Sequence, residues 1–269
     1  MNLLLHGRNG RGSCAAIKEA GANVEVLRKR SGRNLDVENV DTLIRWAVPV
    51  TVPAEISYQE PEAVSLAFNK KETRELLQVC NVSVPLLTET WFPCIGRPTH
   101  HRAGQGFFLC NNAQDVITAK RNGATYFSKI YPKSREFRFH VAHGMILFAS
   151  EKKMPEGYDG LVFNHQNGAY FTRIRWSEWP FAAVKLAIFA VRIVGLDYGA
   201  VDIMGYPTED FQKPFVVSEI NTSPTVGSVY NATLYAEYFN WLINTNPTEW
   251  VEINSDRPQD YAFRKVVNN

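Results

Sequence analysis

The chain has 269 residues, 45% hydrophobic and 21% charged, values of an ordinary globular protein that exclude a disordered tail, a collagen-like fibre and a disulfide scaffold. Lys and Arg number 29 against 27 Asp and Glu, a formal charge of +2, which speaks against non-specific nucleic-acid affinity and leaves nucleic acid an unexpected partner. The longest apolar runs, such as 187–191, fall far short of the roughly 20 residues of a membrane span.

Leu3-Leu4-Leu5 is a short apolar run, too short for a secretory core, followed by Gly7, Gly10 and Gly12. The pattern predicts a strand, a glycine turn, a helix capped by Ser13 and running to about Ala20, and a strand over Val24–Leu27. The glycines are spaced GxxGxG, so the turn reads either as a weak phosphate cradle or as a plain turn of a small α/β unit. Arg28, Lys29, Arg30 and Arg33 form the densest basic cluster and read as a solvated loop. Pro49, Pro53 and Pro61 mark an irregular, linker-like stretch. A charged amphipathic helix is predicted over Asn69–Val79, then a short strand over Val82–Pro85.

From Phe107 to Val141 the chain reads as a β-rich layer, with Tyr126–Tyr131 and Phe137–Val141 joined through a turn at Pro132-Lys133-Ser134. The clearest helix is predicted from Pro180 to Val194, with Pro in its first turn and Gly195 past its end. Strands over Ala200–Met204 and Phe215–Ile220 and a helix over Ala232–Ile243 complete the pattern, and the tail after Asn244 carries no readable motif. Cys14, Cys80, Cys94 and Cys110 lack CxxC spacing, so neither a zinc site nor a redox motif is indicated and the cytoplasm is the expected location.

Three constellations could carry chemistry. Glu219 and Asn221 lie two apart on a strand and share a face, with Ile220 packing behind them. Should the strand holding Asp202 pair alongside, two carboxylates and an amide oxygen converge, a hard-oxygen set suited to Mg²⁺. Taken alone, Asp202 reads as an ordinary strand polar residue. The second constellation is 96–107, where Gly104 and Gly106 allow backbone N–H groups to approach phosphate while Arg97 and Arg102 supply charge. His100 and His101 face opposite ways if extended and lack an acid or Cys at ligand spacing, and His140 and His143 read as packed or hydrogen-bonded. The third is Glu136 with Arg138, one face of an extended segment, otherwise an exposed cross-strand ion-pair ladder. Downstream, Asn164–Gly168 reads as a turn, and Arg173 and Arg175 share a strand face with Phe171.

In their order along the chain, these segments resemble the ATP-grasp superfamily. Gly195–Ile203 followed by Val217–Pro224 is similar to the family's magnesium segment, and Glu136–Val141 to a strand of its compact, phage-type members. Asn69-Lys70 resembles the start of the lid helix, and the likeness covers roughly 62–238.

The resemblance implies an α+β ATP-grasp fold, two α+β subdomains gripping ATP, with a short N-terminal α/β segment. It divides the chain into an N-terminal segment 1–61, a lid subdomain 62–126, a C-terminal core 127–246 with the Mg/ATP site, and a tail 247–269. Asp202, Glu219 and Asn221 match the metal ligands, and two Mg²⁺ ions are implied. Lys70 and Arg97 match phosphate-holding positions, although most members have lysine where Arg97 stands, and Lys71 leaves the register of the first open by one. Gly104-Gln105-Gly106 matches the phosphate loop; Ser128 and Lys129-Ile130-Tyr131 match the adenine-binding hinge, and Glu136 the ribose-binding acid. Arg138, Asn164 and Arg173 fall on the phosphoryl-transfer and acyl side, while Pro224-Thr225 departs from the usual Pro-Gly.

The function so implied is an ADP-forming carboxylate–amine ligase working through an acyl phosphate. Its partners would be ATP and small-molecule, peptide or protein-terminus substrates, with no membrane partner. A kinase-type phosphotransferase and a non-catalytic nucleotide-binding module are the alternatives. A phage-encoded chain would work in its host's cytoplasm, the short N-terminal segment suggests that a partner subunit completes the substrate pocket, and a homo-oligomer is one such arrangement.

Overall fold

Three sheets succeed one another along the chain in the computed structural model, which describes residues 1–7, 10–29, 37–100, 106–131, 133–163, 165–205 and 215–268. The first sheet is parallel, in the order β2-β1-β3-β4, from β1 (Asn2–His6), β2 (Glu25–Arg28), β3 (Thr42–Trp46) and β4 (Ile56–Tyr58). Leu3, Leu4, Leu5, Leu43 and Ile44 are buried in it, as continuous apolar runs require of strands covered on both faces. Helix α1 (Arg11–Glu19) joins β1 to β2. Gly10 opens it because a Cβ there would come within 2.8 Å of the Trp46 ring. Ser13 lies inside the helix and does not cap it; its hydroxyl accepts from the Val226 N–H at 3.1 Å.

The proline-marked stretch is more ordered than its sequence suggests. It follows β3 and holds β4 and the start of α2 (Pro61–Phe68), in which Pro61 occupies the first turn, where its missing N–H costs nothing. Helix α3 (Lys70–Val79) follows at once, because the Asn69 side chain accepts from the Glu72 N–H and caps it. Residues 82–85 form no strand; Ser83 instead accepts a backbone bond from Val217 at 2.8 Å.

The second sheet is antiparallel, order β6-β5-β7, from β5 (Cys94–Arg97), β6 (Phe108–Cys110) and β7 (Tyr126–Lys129). Within the stretch expected to be β-rich lies α4 (Ala113–Arg121), capped by the Asn112 side chain on the Asp115 N–H. β7 and the next strand form no hairpin, because they belong to different sheets.

The third sheet is antiparallel, order β10-β9-β8-β11-β12: β8 (Arg135–Ala142), β9 (Met145–Lys153), β10 (Tyr170–Ile174), β11 (Tyr198–Gly205) and β12 (Phe215–Asn221). One face, with Phe137, Phe139, Val201, Ile203 and Ile220, packs on α5 (Phe181–Val194). Gly195 ends α5 at φ +79°, the left-handed conformation that glycine adopts without a Cβ penalty. Helix α6 (Val229–Thr245) fastens the first sheet to the third by burying Tyr235, Tyr238 and Phe239 against Leu4, Trp46 and Tyr198. The tail is ordered as well, returning past His143 to end in α7 (Phe263–Val267), with Phe263 buried. No helix among the described residues is long and apolar enough to cross a membrane.

Candidate active site

Alternation along β8 puts Glu136, Arg138 and His140 on the face of the third sheet opposite α5. The register then decides their neighbours. Arg138 lies opposite Asp202 of β11 and Ser150 of β9, Glu136 opposite Lys152 of β9, and Asp202 opposite Glu219 of β12. Two carboxylates from adjacent strands therefore stand side by side, with Asn221 two residues further along the same face and Ile220 buried behind.

These charges are paired. Arg138 donates from Nε to Oδ1 of Asp202 at 2.6 Å and from Nη2 to Oδ2 at 2.8 Å, a bidentate fork. Lys152 stands 3.9 Å from the same carboxylate and forms an ion pair with Glu136, which also holds Lys133. Glu219 meets Lys70 at 3.1 Å. Asp202 is only 4% exposed, and burial alone would raise its pKa; Arg138 and Lys152 outweigh burial and hold it at about 2. Burial also pulls on the Arg138 guanidinium, but Asp202 holds it above its ordinary value. Lys133 is lowered, by burial first and against the pull of Glu136. Glu136 and Arg138 thus belong to an interior network, and the alternative of an exposed ladder does not hold.

The face forms the floor of a cleft of about 1280 Å³, whose opposite wall comes from α3 and the second sheet. Lys70 points into it, whereas Lys71 pairs with Glu75 on the surface at 3.4 Å. Arg97 lines the cleft with its guanidinium 5.5 Å from the Phe107 ring centroid. Ser128, Lys129, Ile130 and Tyr131 line it where the chain passes from the second sheet to the third, and the Lys129 ammonium sits 3.6 Å from the Trp91 ring centroid. Gly106 adopts φ +64°, and a Cβ there would come within 2.6 Å of Pro98. Gly104, Gln105 and Asn164 lie outside the described residues, as do Arg30, Arg33, His101 and Arg102.

Arg173 and Phe171 of β10 line the cleft, with Arg173 stacked 3.7 Å from the Tyr230 ring centroid. Arg175 has left the strand and stands at the start of a short 3-10 turn, so it does not share their face. His140 and His143 are hydrogen-bonded to the hydroxyls of Tyr235 and Tyr238 at 2.8 and 2.7 Å, as expected of packed histidines. The sequence reading missed Arg74, Lys133, Lys152 and Tyr230, all at the cleft. A lysine two residues after Ser150 at the end of an apolar run is the one local signal for Lys152; its meaning comes only from the register with Glu136.

No protein-family model matches the chain. Among curated proteins, the D-alanine–D-alanine ligase of Pseudomonas putida strain GB-1 is 24% identical over 188 residues, 60% of this chain and 56% of that protein. Among solved structures, the D-alanine–D-alanine ligase of Bacillus anthracis complexed with ATP superposes with TM-score 0.66 at 13% identity, over 91% of this chain and 97% of the other. The ATP-grasp ligase PsnB complexed with a minimal precursor gives TM-score 0.62 at 13% identity, over 90% and 99%. The chain has the ATP-grasp fold. It spans little more than half, 56%, of the length of the curated relative it matches, and the likeness at this identity concerns architecture. These relatives do not bear on the phage-type subgroup.

The resemblance implies magnesium, and the donor set present is one that could hold it. Asp202, Glu219 and Asn221 offer hard oxygen ligands only, and no three His, Cys, Asp or Glu among the described residues gather into an all-protein cage. Such a set suits a hard cation that takes only one or two carboxylates from the protein.

Proposed function

We propose that this chain is an ATP- and magnesium-dependent ligase that joins a carboxylate to an amine through an acyl phosphate, releasing ADP. One observation carries the reading. The paired acids of β11 and β12 line a single cleft together with the cations Lys70 and Arg97, contributed from α3 and β5. Phosphoryl transfer asks mainly for positioning and charge neutralisation, and this cleft supplies both.

In this proposal Lys70 and Arg97 hold the triphosphate, the Gly104-Gln105-Gly106 loop covers it, and the backbone of Lys129, Ile130 and Tyr131 takes the adenine. Glu136 takes the ribose hydroxyls; a carboxylate has about four lone-pair sites, so its two lysines leave room for them. Two magnesium ions, held by Asp202, Glu219 and Asn221, would neutralise phosphate charge. Arg138, Asn164 and Arg173 serve the phosphoryl-transfer and acyl side, where closure of the cleft keeps water from the activated carboxylate. The relatives named above are a D-alanine–D-alanine ligase and a ligase complexed with a precursor, so amino-acid and peptide substrates are both proposed. The division at residues 61, 126 and 246, a cytoplasmic location and a homo-oligomeric state belong to the same proposal.

The test is ADP release from ATP and Mg²⁺ with pooled amino acids and short peptides, the products read by mass spectrometry. A ligated product, lost in folded Glu219→Gln, is the expected result. A stable phosphorylated product without ligation would replace the ligase by a kinase, and the absence of nucleotide binding in Mg²⁺ would overturn the proposal.

A further inference from the structure

The cations of the cleft are committed to partners within the protein. Lys70 has three N–H donors and uses them on the carbonyls of Ala67 at 3.1 Å and Ile220 at 2.8 Å and on Oε1 of Glu219 at 3.1 Å. Arg138 covers both oxygens of Asp202 and lies 4.7 Å from the Phe171 ring centroid, held between an acid and an aromatic face. Lys152 adds a second positive group 3.9 Å from Asp202. The two acids proposed for the metal therefore each carry a protein cation, and those cations are among the ones proposed to meet the transferring phosphoryl group. A free dication would have to displace a bidentate guanidinium from a buried carboxylate while repelled by Lys70, Arg138 and Lys152. A triphosphate alters that balance, because its oxygens offer Lys70 and Arg138 an anion of higher charge.

We propose that Arg138 and Lys70 are internal counter-ions that keep Asp202 and Glu219 closed to free divalent cations, and that the nucleotide triphosphate opens the metal site by drawing them off. This rests on the reading of the cleft as a nucleotide–magnesium site. Metal and nucleotide are then coupled, and linkage makes the coupling reciprocal.

Mn²⁺ replaces Mg²⁺ as the probe, its free form counted by electron paramagnetic resonance with the full chain, and the Mn²⁺ held by the analogue alone, measured without protein, is subtracted. Wild-type protein is expected to take up Mn²⁺ at least ~10-fold more weakly alone than with a non-hydrolysable ATP analogue, within the usual range of such couplings. Arg138→Gln is expected to bind Mn²⁺ without nucleotide at least ~10-fold more tightly than wild type, Lys70→Met to show a smaller gain, and Asp202→Asn to abolish the gain of Arg138→Gln. Should Arg138→Gln fail to fold, Lys70→Met decides alone. Equal Mn²⁺ affinity of the wild type with and without the analogue, or no gain in the folded variants, would overturn the counter-ion assignment. Gain in the variants with no analogue binding would sink the ligase reading and the nucleotide's role together, while leaving the counter-ions in place.

Discussion

The two faces of the third sheet are built from the same strands, residue by residue in alternation, and they are stabilised by different physics. Behind, Phe137, Phe139, Val201 and Ile203 pack on α5 and lose only water. In front, Glu136, Asp202 and Glu219 face the cleft and are held by the cations Lys133, Arg138 and Lys70. Yet Asp202 is buried, as its apolar neighbours are. The difference teaches that a charged residue on a strand is read by its partner strand: alternation says which face it takes, while register says whether it is solvated, paired or left alone.

The strongest way to break the comparison is to delete one side chain from each face. Phe139→Ala should cost about 3–5 kcal/mol through lost transfer energy and a cavity. Asp202→Ala should cost a similar ~3–5 kcal/mol, but by leaving the Arg138 guanidinium buried without its acid. Urea denaturation checks both, and the double variant Asp202→Ala with Arg138→Met should recover part of the second loss and none of the first. A cost below about 1 kcal/mol for Asp202→Ala would make its pair an ordinary surface one.

A third acid sharpens the point by pH. Asp197 lies just before β11 with the Gln59 N–H on its carboxylate and His143 at 3.6 Å. Burial raises Asp197 from 3.8 to about 6, against the opposing effect of that N–H, and burial lowers His143 to about 4, so His143 is neutral there and offers no charge. A folded pKa above the unfolded one means stability present below pH 3.8 and lost as pH rises through about 6. Asp197→Asn should therefore flatten the pH dependence of the urea midpoint between those values and raise the midpoint at neutral pH relative to wild type; an unchanged slope would contradict the burial of an unpaired acid.

Smaller effects belong to the other wall of the cleft. Asn69→Ala removes the α3 cap and should cost about 1 kcal/mol. Lys71→Ala breaks only an exposed i,i+4 pair and should stay within about 0.5 kcal/mol. Lys70→Met, one residue away, should weaken binding of a non-hydrolysable ATP analogue in calorimetry, while Lys71→Ala should not. Equal effects of the two would erase the distinction between the lysine in the cleft and the one outside.

How much of this could be read from the sequence follows from what is local. Helix α5 was legible because Pro180 and Gly195 bracket an apolar run, and the face of Glu219 and Asn221 because a two-residue period needs no partner. Helix α2 was hidden because Pro61 breaks a helix everywhere but in its first turn, and α4 because its Asn112 cap lies amid aromatic, strand-like segments. Lys133 and Lys152 were invisible as site residues, since their meaning lies in pairing with Glu136, which depends on the path of the chain into β8 and the β8–β9 register. Arg74 reaches the cleft only because α3 packs against it, donating to the Ser218 carbonyl at 3.0 Å.

The most direct measurement is calorimetric titration of a non-hydrolysable ATP analogue into wild type and Glu219→Gln, each with and without Mg²⁺. The account predicts one site, bound more tightly when Mg²⁺ is present, with that gain reduced at least ~10-fold, about 1.4 kcal/mol, in Glu219→Gln. No binding, or a magnesium effect that ignores Glu219, would contradict it.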